Sequence, residues 1–156
     1  MAMGKNCGHE HLTEAAAKDL LTEKGLNRTK VKIKILQVLS ESQKPLSVPE
    51  IHGKLDEACD LSTVFRSITQ YKEKHLVHEV NLDEGFFRYE LVQDRHDHHD
   101  HHHHHHHHVR CRVCGDIQSI EHCDLGPFEK AIAKLGFKDM EHRLEFTGVC
   151  SKCSKN

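Results

Sequence analysis

Two cysteine pairs constrain this chain more than anything else in it. They are Cys111-Arg-Val-Cys114 and Cys150-Ser-Lys-Cys153, separated by residues 115–149. Each CxxC presents two thiolates close together. Four thiolates complete a closed tetrahedral site with no open position, the pattern of structural rather than catalytic zinc. The chain between the pairs must therefore fold back on itself. A site of this kind contributes on the order of 10 kcal/mol to folding. The competing reading is a redox dithiol, and no redox-type fold pattern surrounds either pair.

The remaining composition agrees with metal chemistry. Seven cysteines and 18 histidines stand in 156 residues. No apolar run reaches the roughly 18 residues of a membrane span, and the N-terminus lacks a signal-type apolar run. The expected compartment is the cytoplasm, where thiols stay reduced and favour metal over disulfides. Net charge is -2. Residues 1–91 carry 13 Lys+Arg against 14 Asp+Glu, and residues 92–156 carry 9 against 10. Any nucleic-acid surface must therefore be a local patch.

The first half reads as helices followed by a hairpin. Thr13 to Lys24 is a helix stopped by Gly25. Thr29 caps a second helix with a stripe of Val31, Ile35, Leu36 and Leu39. Ser47-Val-Pro-Glu50 is a capping box opening a short helix through Ile51 and Leu55. Residues 56–62 break the pattern, and Ser62 caps a helix carrying Val64, Phe65, Ile68 and Tyr71. Leu76–Leu82, the turn Asp83-Glu84-Gly85 and Phe86–Leu91 form a hairpin. His78 shares strand parity with Leu76, Val80 and Leu82, which predicts a buried side chain. Glu90 shares the parity of Arg88. Together these elements suggest a winged helix-turn-helix. Arg28, Lys30, Lys32 and Lys34 crowd the start of the second helix and suit phosphates. Ser62, Thr63 and Arg66 lie where base-edge contacts arise in this motif.

The second half mixes strands and a helix. Val109, Cys111 and Val113 alternate as in a strand, and Ile117 to Ile120 make a second. Asp124 can cap a helix with Leu125, Phe128, Ile132 and Leu135 on one face. His142, Leu144 and Phe146 alternate on a last strand. Residues 94–108, DRHDHHDHHHHHHHH, are low in complexity and read as a histidine-rich loop. Alternate histidines before Cys111 point to opposite faces, so neighbours can serve different metal sites. The expected architecture is α+β: a winged-helix DNA-binding domain over residues 1–91, a hinge over 92–108, and a dimerisation and metal-binding domain over 109–156. A domain that small favours dimerisation.

In order, GLNRTKVKIKIL, PLSVPEIHGKL, DLSTVFRSI, the YEL before the histidines, CRVCG and HRLEFTGVCSKC resemble the ferric uptake regulator family. The resemblance covers residues 12–153. It implies a homodimeric repressor that binds an AT-rich inverted repeat in double-stranded DNA when a sensor site is metallated. It implies structural Zn(2+) on Cys111, Cys114, Cys150 and Cys153. It also implies a regulatory site on His78, Glu90, His106 and His108, and a third site on His105, His107 and His142. Glu121, Asp124 or Cys123 would complete that third site. Phe65 stands in place of the family's usual recognition-helix Tyr, and Lys32 in place of a common Arg. Pro45 stands where iron sensors have a ligand His. Lys44 and Ser119 depart from the peroxide sensors. With His78 present, Zn(2+) is the expected regulatory ion, and Glu90 keeps Fe(2+) or Mn(2+) as the alternative. A reading from another class is a histidine-rich metal-storage or delivery protein. No enzyme is expected, since no poised nucleophile or general base is present. No small organic substrate and no membrane partner are expected either.

Overall fold

The computed structural model describes residues 11–56, 58–92, 107–120, 125–138 and 144–155. The chain divides into two compact units, Met1–Asp94 and Arg95–Asn156.

In the first unit, α1 spans Glu14–Glu23 and is capped by the Thr13 hydroxyl, which accepts from the Ala16 N–H. It ends in a Schellman turn. The Gly25 and Leu26 N–H groups donate to the carbonyls of Thr22 and Leu21. Gly25 sits at φ 69°, where a Cβ would be strained. The second helix, α2, spans Lys30–Glu41 with Thr29 as its cap. Its buried face is Ile33, Ile35, Leu36 and Leu39, while Val31 of the expected stripe is only half-buried.

A two-residue strand, β1 (Leu46–Ser47), leads into α3 (Val48–Gly53). The capping box forms as expected: the Ser47 hydroxyl accepts from the Glu50 N–H, and the Glu50 carboxylate accepts from the Ser47 N–H. The helix stops at Gly53 rather than running to Leu55. The Lys54 and Leu55 N–H groups turn back to the carbonyls of Ile51 and His52, closing a tight last turn.

The next helix, α4, spans Leu61–Glu73. Asp60 holds the cap position without a side-chain bond, so the expected cap at Ser62 is corrected. Asp competes as well as Ser for that position, and its extended backbone already ends the loop. Ser62 lies exposed in the first helical turn. Then β2 (Val77–Asn81) and β3 (Phe87–Leu91) pair antiparallel, with β1 on the other side of β3. Leu21, Ile35, Leu36, Ile51, Val64, Ile68 and Tyr71 meet in one core under this sheet. The Tyr71 hydroxyl donates to the Lys32 carbonyl at 2.7 Å, tying α4 to the start of α2. Four helices and a winged hairpin are the observed arrangement.

In the second unit, β4 spans His107–Cys111, β5 Ile117–Ile120, α5 Gly126–Ala133 and β6 Glu145–Gly148. The sheet order is β5-β4-β6, antiparallel on one side and parallel on the other. The first strand starts two residues earlier than its alternation suggests, so His107 and His108 leave the expected hinge and join the sheet. Val113 is not on that strand. It lies in the turn after Cys111, 65% exposed.

The apolar face expected on α5 is not a buried one. Leu125 is the N-cap residue and Leu135 lies past the helix end. Phe128, Ile132 and Leu135 are all exposed, as is Phe137. The 3.6-residue spacing is right, but among the described residues nothing in the unit covers that face. The expected cap at Asp124 lies outside the described residues.

Candidate metal centre

The two CxxC pairs converge. The turn after β4 carries Cys111 and Cys114, and the turn after β6 carries Cys150 and Cys153. Because β6 runs parallel to β4, both turns leave the same end of the sheet. Gly115, at φ 73°, lets the first turn close with its N–H on the Cys111 carbonyl at 2.8 Å. The Arg112 N–H bonds the Gly148 carbonyl at 2.8 Å, stitching one turn to the other.

The ligand atoms of Cys111, Cys114, Cys150 and Cys153 all lie within 4.8 Å of one another. The sulfurs of Cys114 and Cys150 are 3.7 Å apart. A tetrahedral ion with metal–sulfur bonds of about 2.3 Å has edges of about 3.8 Å. The donor set and its dimensions therefore fit a zinc-like ion, with no place left for a substrate.

The electrostatics point the same way. Backbone N–H groups of Cys114, Cys150 and Val113 hold the Cys111 thiol down at about 6. The Asp116 N–H lowers the Cys114 thiol, but the sulfurs of Cys111 and Cys150 outweigh it and raise the value. The neighbouring sulfurs, Cys150 first, push Cys153 up to about 12. One thiol of the cluster is thus primed to ionise, while Cys114 and Cys153 resist ionising until a cation joins them.

The histidines at the start of β4 are buried, His107 to 4% exposure and His108 to 2%. Being adjacent on a strand, they face opposite sides. His107 pairs with Ile120, and His108 with Ser119 and Glu145. His107 Nδ1 lies 3.2 Å from the Leu144 carbonyl. A carbonyl only accepts, so Nδ1 carries the proton in the neutral ring and the lone pair stands on Nε2. His108 Nδ1 lies 3.4 Å from the Ser119 hydroxyl. Neither partner was singled out as a support from sequence, because Ser119 comes from β5 and Leu144 from the residue just ahead of β6. His105, His106, Glu121, Cys123 and His142 lie outside the described residues.

In the first unit, His78 is exposed, which corrects the expected burial. Strand parity fails here because the burial pattern of β2 does not alternate: Val77 and Val80 are buried and His78 lies between them. His78 is the register partner of Glu90 on β3, and Glu90 is half-buried.

The candidate DNA-contacting residues lie on α2, α4 and the chain entering α2. Arg28 and Lys30 are exposed, while Lys32 is half-buried and desolvation lowers its pKa. Ser62, Phe65 and Arg66 are exposed and Thr63 is half-buried. Phe65, at 57% exposure, and Leu61, at 47%, stand out on a helix whose remaining apolar side chains, Val64, Ile68 and Tyr71, are buried. The Arg66 guanidinium folds back on the Ser62 carbonyl at 3.3 Å and the Thr63 hydroxyl at 3.4 Å.

A winged helix-turn-helix, a second α/β unit and a four-cysteine cluster now stand together. The model of the ferric uptake regulator family matches residues 23–147. The chain belongs to the ferric uptake regulator family. A ferric uptake regulation protein of Legionella pneumophila is 32% identical over 138 residues, covering 85% of this chain and 95% of that one. The peroxide operon regulator of Bacillus subtilis is 29% identical over 143 residues, covering 89% and 92%. Among solved structures, the ferric uptake regulator of Vibrio cholerae superposes with a TM-score of 0.71 at 28% identity, covering 85% and 98%. This member of the family is thus a metal-responsive, DNA-binding transcriptional regulator with an α+β fold and a metal cofactor. Relatives named for iron and for peroxide match it about equally, so likeness alone does not choose the ion. No helix among the described residues is long and apolar enough to cross a membrane.

Proposed function

We propose that this chain is a cytoplasmic, homodimeric repressor that binds an AT-rich inverted repeat when its regulatory site holds Zn(2+). The observation carrying this reading is the cross-strand pair of His78 and Glu90 on the hairpin. Directly opposed residues of an antiparallel pair project from the same face, with Cβ atoms about 5 Å apart. An exposed imidazole beside a carboxylate is a donor pair suited to a divalent ion.

His106 and His108 complete the proposed regulatory set, and Cys111, Cys114, Cys150 and Cys153 hold structural Zn(2+). His105, His107, Glu121 and His142 form the proposed third site. In it the Leu144 carbonyl would keep His107 in the tautomer that offers Nε2. A bound ion supplies a divalent charge and a fixed coordination geometry. The protein groups supply the switch: neutral imidazoles and an ionised Glu90 need favour the DNA-competent state by only a few kcal/mol.

Dimerisation is supported by the exposed apolar face of α5, where Phe128, Ile132 and Leu135 have no cover among the described residues. DNA contact is assigned to Arg28, Lys30, Lys32, Ser62, Thr63, Phe65 and Arg66. In a dimer, two recognition helices α4 would enter successive major grooves about 34 Å apart.

The hard oxygen of Glu90 favours a second reading, in which Fe(2+) or Mn(2+) is the sensed ion. The test is fluorescence anisotropy with an AT-rich inverted-repeat duplex, titrating buffered free Zn(2+) and then anaerobic Fe(2+) and Mn(2+). Tightest activation by Zn(2+) supports the first reading, and equal or better activation by Fe(2+) the second. DNA binding indifferent to metal would overturn both and favour storage on the histidine run.

A further inference from the structure

The wing carries a second polar centre. Arg88, on β3, is 7% exposed and points at three separate pieces of the first unit. Its Nε and Nη2 meet both carboxylate oxygens of Glu84, in the hairpin turn, at 2.5 and 3.2 Å. Its Nη1 donates to Glu50 Oε2 at 2.5 Å and to the Pro45 carbonyl at 3.3 Å. Its guanidinium carbon also lies 5.4 Å from the centre of the Phe86 ring.

Glu50 Oε2 is the same oxygen that accepts the Ser47 N–H and hydroxyl, each at 2.8 Å. One atom therefore joins the capping box of α3 to the wing. A guanidinium is a planar fork with fixed donor directions, so two carboxylates bonded to it are held at a set angle to each other. A lysine ammonium has no such fork.

Arg88 faces two carboxylates, so the cluster keeps a net negative charge. The arrangement is poor as a plain stabiliser, because desolvation takes back much of what such pairs gain. Its distinctive product is geometry. We propose that Arg88 is a positioning residue that locks the wing turn to the N-terminus of α3, and through α3 to the recognition helix α4, so that wing and recognition helix meet DNA as one body. The inference rests on the DNA-binding reading above for its consequence, but the lock itself exists without DNA.

The test therefore has two arms, both on the full-length, zinc-loaded protein. The first measures amide hydrogen exchange without DNA in Arg88→Lys and the milder Glu84→Gln. The lock predicts at least fivefold faster exchange at Gly85, Phe86 and Phe87, with amides of α2 and the core of α4 unchanged. Unchanged exchange in the turn overturns it, and so does a uniform rise across the unit, which marks simple destabilisation. The second arm compares an AT-rich inverted-repeat duplex with a scrambled one. Both affinities should fall by the same roughly tenfold factor in Arg88→Lys, since a loose wing loses positioning contacts rather than base readout. A change confined to the inverted repeat would instead make Arg88 a specificity residue and overturn the proposal. If the wild-type chain binds neither duplex, the DNA reading fails, while the exchange arm still decides the lock.

Discussion

His78 and Glu90 stand directly opposite each other on β2 and β3. The same hairpin ties its turn to α3 through Arg88, so the proposed ligand pair and the wing turn share one ribbon. Removing His78 should therefore be felt as a change in metal requirement rather than in DNA contacts. His78→Ala should need at least roughly tenfold more free Zn(2+) for half-maximal DNA binding, with saturated affinity unchanged. An unchanged zinc midpoint in the anisotropy titration would remove His78 from the regulatory site.

The cysteine cluster makes a different demand. Cys150→Ser takes away one of four sulfurs whose neighbours already crowd one another. The variant should lose one tightly bound Zn(2+) per chain, measured by mass spectrometry under native conditions. The strands of the second unit should also lose amide hydrogen-exchange protection, because structural zinc contributes on the order of 10 kcal/mol to folding. A variant that retained full zinc and normal folding would show that three sulfurs suffice.

Acid should reach the capping box through Glu50. Burial raises its pKa, but the bonds from Ser47 and the Arg88 charge outweigh that and hold it below 4.5. A depressed carboxylate adds stability above its unfolded value, and that stability is lost as pH falls through the folded value. Glu50→Gln should cost about 1 kcal/mol at pH 7, the partly exposed carboxylate keeping its charge pairing modest. The cost should shrink as pH falls from 4.5 and be gone once pH is below the lowered folded value. Urea unfolding of both proteins at neutral and acidic pH checks this, and a pH-independent difference would exclude the carboxylate charge as its source.

The helix ends offer a stabilising change. The Schellman turn after α4 has the same bonds as the one after α1, with the His75 and Leu76 N–H groups on the carbonyls of Lys72 and Tyr71. Yet His75 occupies the left-handed position, φ 53°, where α1 uses Gly25. His75→Gly should raise stability by up to about 1 kcal/mol, read as a higher urea midpoint with an unchanged slope. A lower midpoint would mean that the imidazole makes a contact worth more than the relieved strain.

Local signals in the sequence were reliable where one short segment settles the matter. Thr29 and the Ser47–Glu50 box need only their own neighbours, and both cap as read. The CxxC spacing likewise carries its geometry with it. Failures came where distant chain decides. Parity could not tell that His78 would be exposed between buried valines, because both faces of β2 meet core at different points. The α5 stripe has the right period, yet spacing says nothing of whether another surface covers it. The Arg88 lock needed three segments, 38 residues apart at the widest ion pair, before its partners could be named. Its one sequence trace was the acidic residue of the capping box.

The register of β4 is fixed from its far end, by the pairing of Val109 and Arg110 with β5 and by Cys111 in the cluster. Ahead of Val109 lie eight consecutive histidines, His101–His108, the last two of them in the strand. A gain or loss of residues inside that run would leave histidine at both positions before Val109 as long as two remain, so the two buried imidazoles do not depend on the length of the run.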